Sequence, residues 1–350
     1  MADSMIRDYA SAFPGKTRRA GVTAGPRPAE SRAGRDLYAI VLAGGEGRRL
    51  QGFVRQFLGT ERPKQFCRIT GTRSMLRHTW DRAARLVEPD RIVTVITKGQ
   101  EPYLEEEADG GVPGTVLVQP ENKETAAGLL LPLLWIARRA PAATVVVFPA
   151  DHFIWEEGRF VAHVRAALSA AHDQPHRLLL LGVEAAGPDI GYGWIAPGEA
   201  IPAGPNIELY AVRRFWEKPD HQIAARLFAR GDLWNTFVMA GCLTAYLSLA
   251  GACIPRVLEP LRAAAPFLDT SAASEALRRA YSQITPRNFS EAVLARSPAA
   301  LMVLAARGVA WSDWGEPDHI VSTLRRFDRP TPWLPSYTSD QNQQTSPVPY

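Results

Sequence analysis

The sequence holds little cysteine, little lysine and no long apolar run. Its three cysteines, Cys67, Cys242 and Cys253, lack metal-site spacing and suggest no disulfide framework. They read as small apolar residues in or near the core, so a reducing, cytoplasmic compartment is expected. No apolar stretch approaches the ~20 residues of a membrane span. Arg18-Arg19 is followed by no apolar segment, which reads against a secretory or twin-arginine signal. Clustered charge is also missing. The formal net charge is +4, and residues 1–36 hold seven basic groups against four acidic ones. The alkaline character is therefore mostly a property of that arm, and no nucleic-acid surface or membrane partner is expected. No fixed-period repeat and no hexapeptide pattern of a C-terminal β-helix is present.

Lysine occurs five times, at 16, 64, 98, 123 and 218, against 35 arginines. In so arginine-rich a chain each retained lysine invites a reason, because a compact ammonium and a planar guanidinium are not interchangeable against phosphate. Residues 1–36, rich in Gly, Pro, Ala and charge, read as a disordered N-terminal arm, and residues 328–350 as a disordered C-terminal tail. Between them, 37–327 reads as one folded unit. Short apolar runs at 37–42, 91–96, 115–119, 144–148 and 177–181 alternate with helical patterns near 73–87, 100–108, 124–140 and 158–173. Apolar strands alternating with helices indicate an α/β fold with a mostly parallel central sheet flanked by helices. Ligand sites in such sheets lie beyond the carboxyl ends of the strands. From 191 onward the pattern becomes mixed, with extended stretches near 192–196, 208–216 and 234–246, helices within 219–230 and 246–281, and a last helix near 316–326.

Several segments carry chemistry. Leu42-Ala43-Gly44-Gly45-Glu46-Gly47-Arg48-Arg49-Leu50 follows the first strand. Its glycines let the backbone turn and approach a ligand, its N–H groups can form an anion nest, and an arginine can add a cation. A plain structural turn would use the same glycines. Leu50 stands where a dinucleotide fingerprint needs glycine, and no Gly-Lys-Ser/Thr follows, so neither that motif nor a Walker A loop is present. In Glu61-Arg-Pro-Lys-Gln-Phe66, Pro63 stiffens the chain before Lys64; the lysine can reach phosphate or belong to a solvated basic loop. In Gln119–Gly128, Thr125 can cap or line a helix N-terminus. Asp151 ends the apolar run 145–150, where a carboxylate suits a hard divalent cation or caps the next turn. Gly191-Tyr-Gly193 permits close backbone approach or a bulge.

Taken in order, Gly-Gly-x-Gly-x-Arg-Leu and then Arg-Pro-Lys-Gln-Phe resemble the sugar-phosphate nucleotidyltransferases, most closely mannose-1-phosphate guanylyltransferases. The resemblance implies a Rossmann-like, glycosyltransferase-A-like fold. It implies that Leu42, Ala43, Gly44, Gly45, Gly47, Gln119 and Thr125 border the nucleotide. Arg49 and Lys64 are implied to neutralise its phosphates, with Asp151 completing the catalytic set. Glu217-Lys218 and Asn235, in Glu-Lys-Pro and Trp-Asn-Thr segments, with Gly193, are implied to hold the sugar phosphate. Asp313, in Trp-Ser-Asp-Trp-Gly, is implied to join Asp151 on Mg2+. The expected substrates are a nucleoside triphosphate, GTP first, and a hexose 1-phosphate, mannose 1-phosphate first. Two residues depart from the pattern: Glu124 replaces an asparagine and Phe237 a glycine. Another nucleotide or sugar, a non-catalytic nucleotide-sugar-binding paralogue, and a homodimer stay open; an NAD-dependent oxidoreductase is disfavoured by Leu50.

Overall fold

A computed structural model describes residues 6–8, 36–107, 111–329, 331 and 333–337. In chain order the strands and helices are β1 (Ile6–Asp8), β2 (Leu37–Leu42), α1 (Gln51–Leu58), α2 (Met75–Ala83), β3 (Ile92–Thr97), α3 (Glu101–Glu106), β4 (Thr115–Gln119), α4 (Glu124–Ala137), β5 (Thr144–Pro149), β6 (Phe153–Ile154), α5 (Glu157–Asp173), β7 (Leu178–Glu184), β8 (Gly193–Ala200), β9 (Leu209–Glu217), α6 (His221–Ala229), β10 (Leu233–Cys242), α7 (Leu243–Cys253), α8 (Pro255–Ala264), α9 (Ala273–Gln283), β11 (Leu301–Ala305), β12 (Trp311–Ser312) and α10 (Pro317–Arg326).

The central sheet has the order β1-β4-β3-β2-β5-β10-β7-β11-β9-β8. Strands β4, β3, β2 and β5 run parallel, as do β7 and β11. The expected mostly parallel sheet is corrected beyond that block. Strand β10 enters antiparallel between β5 and β7, and β9 and β8 add antiparallel pairs at the far side. The reason is physical: an apolar run reports burial on both faces, not the direction of its neighbours. Every residue of β3 and β4 is buried, and α4 covers them with Ala126–Ile136 entirely buried. Local chemistry sets the helix starts. The Ser74 hydroxyl accepts from the Arg77 amide at 3.1 Å, and Asp220 accepts from the Ile223 amide at 2.7 Å, each satisfying a free N–H of a first turn.

A two-stranded sheet, β6 with β12, pairs Phe153 with Ser312 and Ile154 with Trp311. It joins the segment after β5 to the segment before α10, through pairs 157 and 159 residues apart in the chain. A satellite apolar cluster lies behind this junction and includes Leu50, Phe53, Val54, Trp314, Ile320, Leu324, Trp333 and Tyr337. The arm and tail expectations are corrected at two places: residues 6–8 form an edge strand on β4, and Trp333 and Tyr337 pack on Phe53 and Phe57. Residues 1–5, 9–35, 330, 332 and 338–350 of these segments lie outside the described residues. Cys67, Cys242 and Cys253 are free thiols. Among the described residues, no helix is long and apolar enough to cross a membrane.

Candidate active site at the strand ends

The glycine loop after β2 is held from behind. Gln65 Nε2 donates to the Ala43 and Gly45 carbonyls at 2.6 and 2.8 Å. Gln100 Nε2 donates to Gly45 O at 2.9 Å and Thr97 Oγ1 to Gly44 O at 2.8 Å. A Cβ at Gly44 would lie 2.4 Å from Gln119 Nε2, so any side chain there would displace the Gln119 amide. Gly47 is left-handed at φ 63 and its missing Cβ faces the Lys64 amide at 3.2 Å. Ala43 is buried beneath the loop, its amide donating to Val95 O. Leu42, Gly44 and Gly45 line a cavity of about 330 Å3 with Val95, Gln119 and Gly128. Both ends of the Gln119 amide are occupied, Nε2 donating to Thr97 Oγ1 at 2.9 Å and Oε1 accepting from Tyr281 OH at 3.1 Å. Thr125 also lines the cavity, and its hydroxyl accepts from the Phe289 amide at 2.8 Å rather than capping its own helix.

A second cavity, of about 560 Å3, is lined by Gly47, Arg48, Arg49, Lys64 and Gly315. The two cavities share Asn122, Glu124 and Asp151. Arg49 is more than half exposed and donates to Glu316 Oε1 at 2.8 Å. Lys64, by contrast, is buried. Its Nζ stands 3.0 Å from Asp151 Oδ2 and donates to the backbone carbonyls of Asp313 and Trp314. One ammonium thus ties the end of β5 to the segment after β12.

Asp313 is fixed from three sides. Its Oδ1 accepts from the Gly315 amide at 2.7 Å. His319 Nδ1 lies 3.7 Å from the same oxygen, while His319 Nε2 meets Asp189 Oδ2 at 2.9 Å. Burial alone would raise the Asp313 carboxyl, but the neighbouring His319 and the Lys64 charge hold it well below the usual carboxylate range. The Asp189 hydrogen bond, then Asp313, raises His319 to about 9. Burial lowers His152 to about 4, so it is neutral near pH 7 and accepts from Trp311 Nε1 at 3.2 Å. A carboxylate suits a hard cation that completes its shell with phosphate and water, and Lys64 links the Asp151 carboxylate to the Asp313 backbone. Among the described residues no cluster of three or more His, Cys, Asp or Glu that could hold a metal ion exists. Sequence reasoning left out Gln65, Thr97 and Gln100, which hold the loop, and His319 and Asp189, which hold Asp313. Only Gln65 lay within a quoted motif.

On the sugar side, β8 and β9 pair Gly193 with Glu217. A Cβ on Gly193 would lie 2.9 Å from Glu217 Oε2 and 3.3 Å from Asn235 Cβ, so these three residues converge. Burial raises the Glu217 carboxyl, with Lys218 opposing. Lys218 is exposed, at φ 46. Six non-glycine residues are left-handed among those described, and four belong to these segments: Glu124, Lys218, Phe237 and Trp314. Each such residue costs roughly 1–3 kcal/mol and persists where its surroundings over-determine it.

The nucleotidyl transferase family model matches residues 38–327. The chain is 33% identical over 203 residues to the xanthan biosynthesis protein XanB of Xanthomonas campestris, covering 57% of this chain and 41% of that protein. It is 30% identical over 237 residues to a mannose-1-phosphate guanylyltransferase of Escherichia coli, covering 67% and 48%. The chain thus spans about half the length of the curated relatives it matches. Among solved structures, the Thermus thermophilus mannose-1-phosphate geranyltransferase superposes with a TM-score of 0.67 at 26% identity, covering 85% of this chain and 80% of that one. The inositol-1-phosphate CTP transferase of T. maritima, at 15% identity and a TM-score of 0.52, shares the fold.

Proposed function

The chain belongs to the nucleotidyl transferase family, and from that premise we propose that residues 37–327 transfer a nucleotidyl group from a nucleoside triphosphate to a hexose 1-phosphate, with GTP and mannose 1-phosphate as the favoured pair. The observation that carries the reading is the Lys64 clasp, which brings Asp151 and the Asp313 segment together at the junction of two cavities. The guanylyltransferase relative supports the choice of substrates.

An oxygen of the sugar phosphate attacks the α-phosphorus. A new P–O bond forms as the bond to the β-phosphate breaks, and pyrophosphate leaves with the electron pair. The attacking oxygen is already ionised near pH 7, so no general base is needed. The chain supplies position and charge. The cavity of Leu42, Gly44, Gly45, Gln119 and Thr125 takes base and ribose. Gly47, Arg48 and Arg49 face the triphosphate. Gly193, Glu217, Lys218 and Asn235 hold the sugar phosphate. Asp151 and Asp313 are the residues that would hold Mg2+, which neutralises phosphate charge when bound.

Incubating the purified chain with Mg2+ and panels of triphosphates and sugar phosphates, and measuring pyrophosphate, tests the proposal. Fastest release with GTP and mannose 1-phosphate is expected. No release with any pair from a folded sample overturns it.

A further inference from the structure

Phe237 occupies the one break in the pairing of β10 with β7, between Asn235 and Met239. Its φ is 57, a backbone region that an aromatic residue rarely adopts and glycine takes freely. The bulge is locked on both sides. The Phe237 amide donates to Asn235 Oδ1 at 3.2 Å. Thr236 Oγ1 donates to Leu181 O at 2.7 Å and accepts from the Val238 amide at 3.1 Å. The ring meets Phe289 edge-on, with centroids 6.5 Å apart at 85°, and the Phe289 amide is bonded to Thr125 in the cavity wall. The side chain itself lines the smaller cavity together with Pro149 and Asp151. Two residues away, Asn235 converges with Gly193 and Glu217. A strained backbone kept under a large side chain, in a wall where glycine would be free of strain, marks the side chain as the feature the position retains.

Resting on the nucleotidyl-transfer reading, we propose that Phe237 is a specificity-determining residue whose ring walls the junction of nucleotide and hexose, admitting a compact, unsubstituted hexose 1-phosphate against its face and excluding one with a bulky ring substituent. Stacking of a sugar's apolar face on an aromatic ring uses the same dispersion and area burial that aromatic side chains supply elsewhere.

The test compares kcat/KM for mannose 1-phosphate with that for N-acetylglucosamine 1-phosphate in the wild type, Phe237→Gly and Phe237→Asn, with GTP as donor. At saturating GTP both variants are expected to lower this ratio at least tenfold. Asparagine tolerates the left-handed backbone and decides the matter where the glycine variant melts too low to assay. A ratio unchanged within twofold in a folded variant overturns the inference and leaves the enzyme reading standing. A wild type that releases no pyrophosphate with any pair rejects the enzyme reading, and this inference with it.

Discussion

The half of the site nearest the triphosphate and the half nearest the sugar are built by different means. Around the glycine loop the strands run parallel and are almost wholly buried. There the loop carbonyls are taken by Gln65, Thr97 and Gln100, and left-handed backbone occurs at Gly47, Glu124 and Trp314. Around Gly193, Glu217 and Asn235 the strands are antiparallel, with shifted registers in β8–β9 and β10–β7, and Lys218 and Phe237 sit in the left-handed region. On the proposed reading the first half is a preorganised frame for charge that every substrate pair shares. The second adds shifted strand registers where, on the proposed reading, one sugar must be told from another. Substitutions in the first half should therefore act on kcat, and those in the second on KM or selectivity.

The sharpest way to break this contrast is to neutralise a carboxylate of the frame. Asp151→Asn and Asp313→Asn are each expected to lower kcat roughly 10³-fold, an effect of the size seen when transition-state charge loses a partner. Pyrophosphate release by a sample with an unchanged melting curve is the measurement, and a loss below tenfold would remove that carboxylate from the chemistry. Lys64→Ala should cost about 10²-fold. Lys64→Arg should not restore it, because the buried slot between Asp151 and the 313–314 carbonyls fits a compact ammonium and not a planar fork. Rescue by arginine would show Lys64 to be a generic charge. On the sugar side, Glu217→Gln should raise the KM for the sugar phosphate about tenfold, the order expected from one weakened hydrogen bond to a ligand, with kcat near wild type. A fall in kcat instead would erase the division between the halves.

The frame was largely legible in the sequence because its signals are local. The glycines of 44–47 and the aspartate ending an apolar run report their conformation and place within a few residues. Strand 37–42 and strand 115–119 coincide with β2 and β4. What brings Asp313 to Asp151 was not legible from spacing. It depends on the β6–β12 pairing and on Lys64, whose burial a basic loop does not announce. Asp313 was reached only through the resemblance of its segment. Strand β10 was visible as an extended stretch, yet its insertion between β5 and β7 was not, since pairing across a sheet leaves no mark on periodicity. His319 and Asp189 carry no motif at all. Their role rests on a line of charges, Asp189 paired with His319 and His319 beside Asp313, assembled from the loop before β8, α10 and the segment after β12.

That line offers the finest test of how the frame is held, read as stability without substrate. His319 has a folded-state value of about 9 against an ordinary ~6.5. A raised value means that its stabilisation is complete below about pH 6.5 and is lost as pH climbs through 9. His152 acts on the other side: its lowered value, about 4, gives a contribution present above 6.5 and lost as pH falls toward 4, so the two windows do not overlap. The Asp313 carboxyl, held low, likewise loses its contribution only in acid. Denaturant melts in EDTA from pH 6.5 to 9 should therefore show wild-type stability falling by roughly 1–2 kcal/mol, with partial exposure and coupling keeping it below the full linkage value. His319→Gln should flatten that window and leave the acid limb in place. A variant with the wild-type slope would mean that Asp313 is oriented by the Gly315 amide and Lys64 alone, and that the frame does not need the Asp189–His319 support behind it.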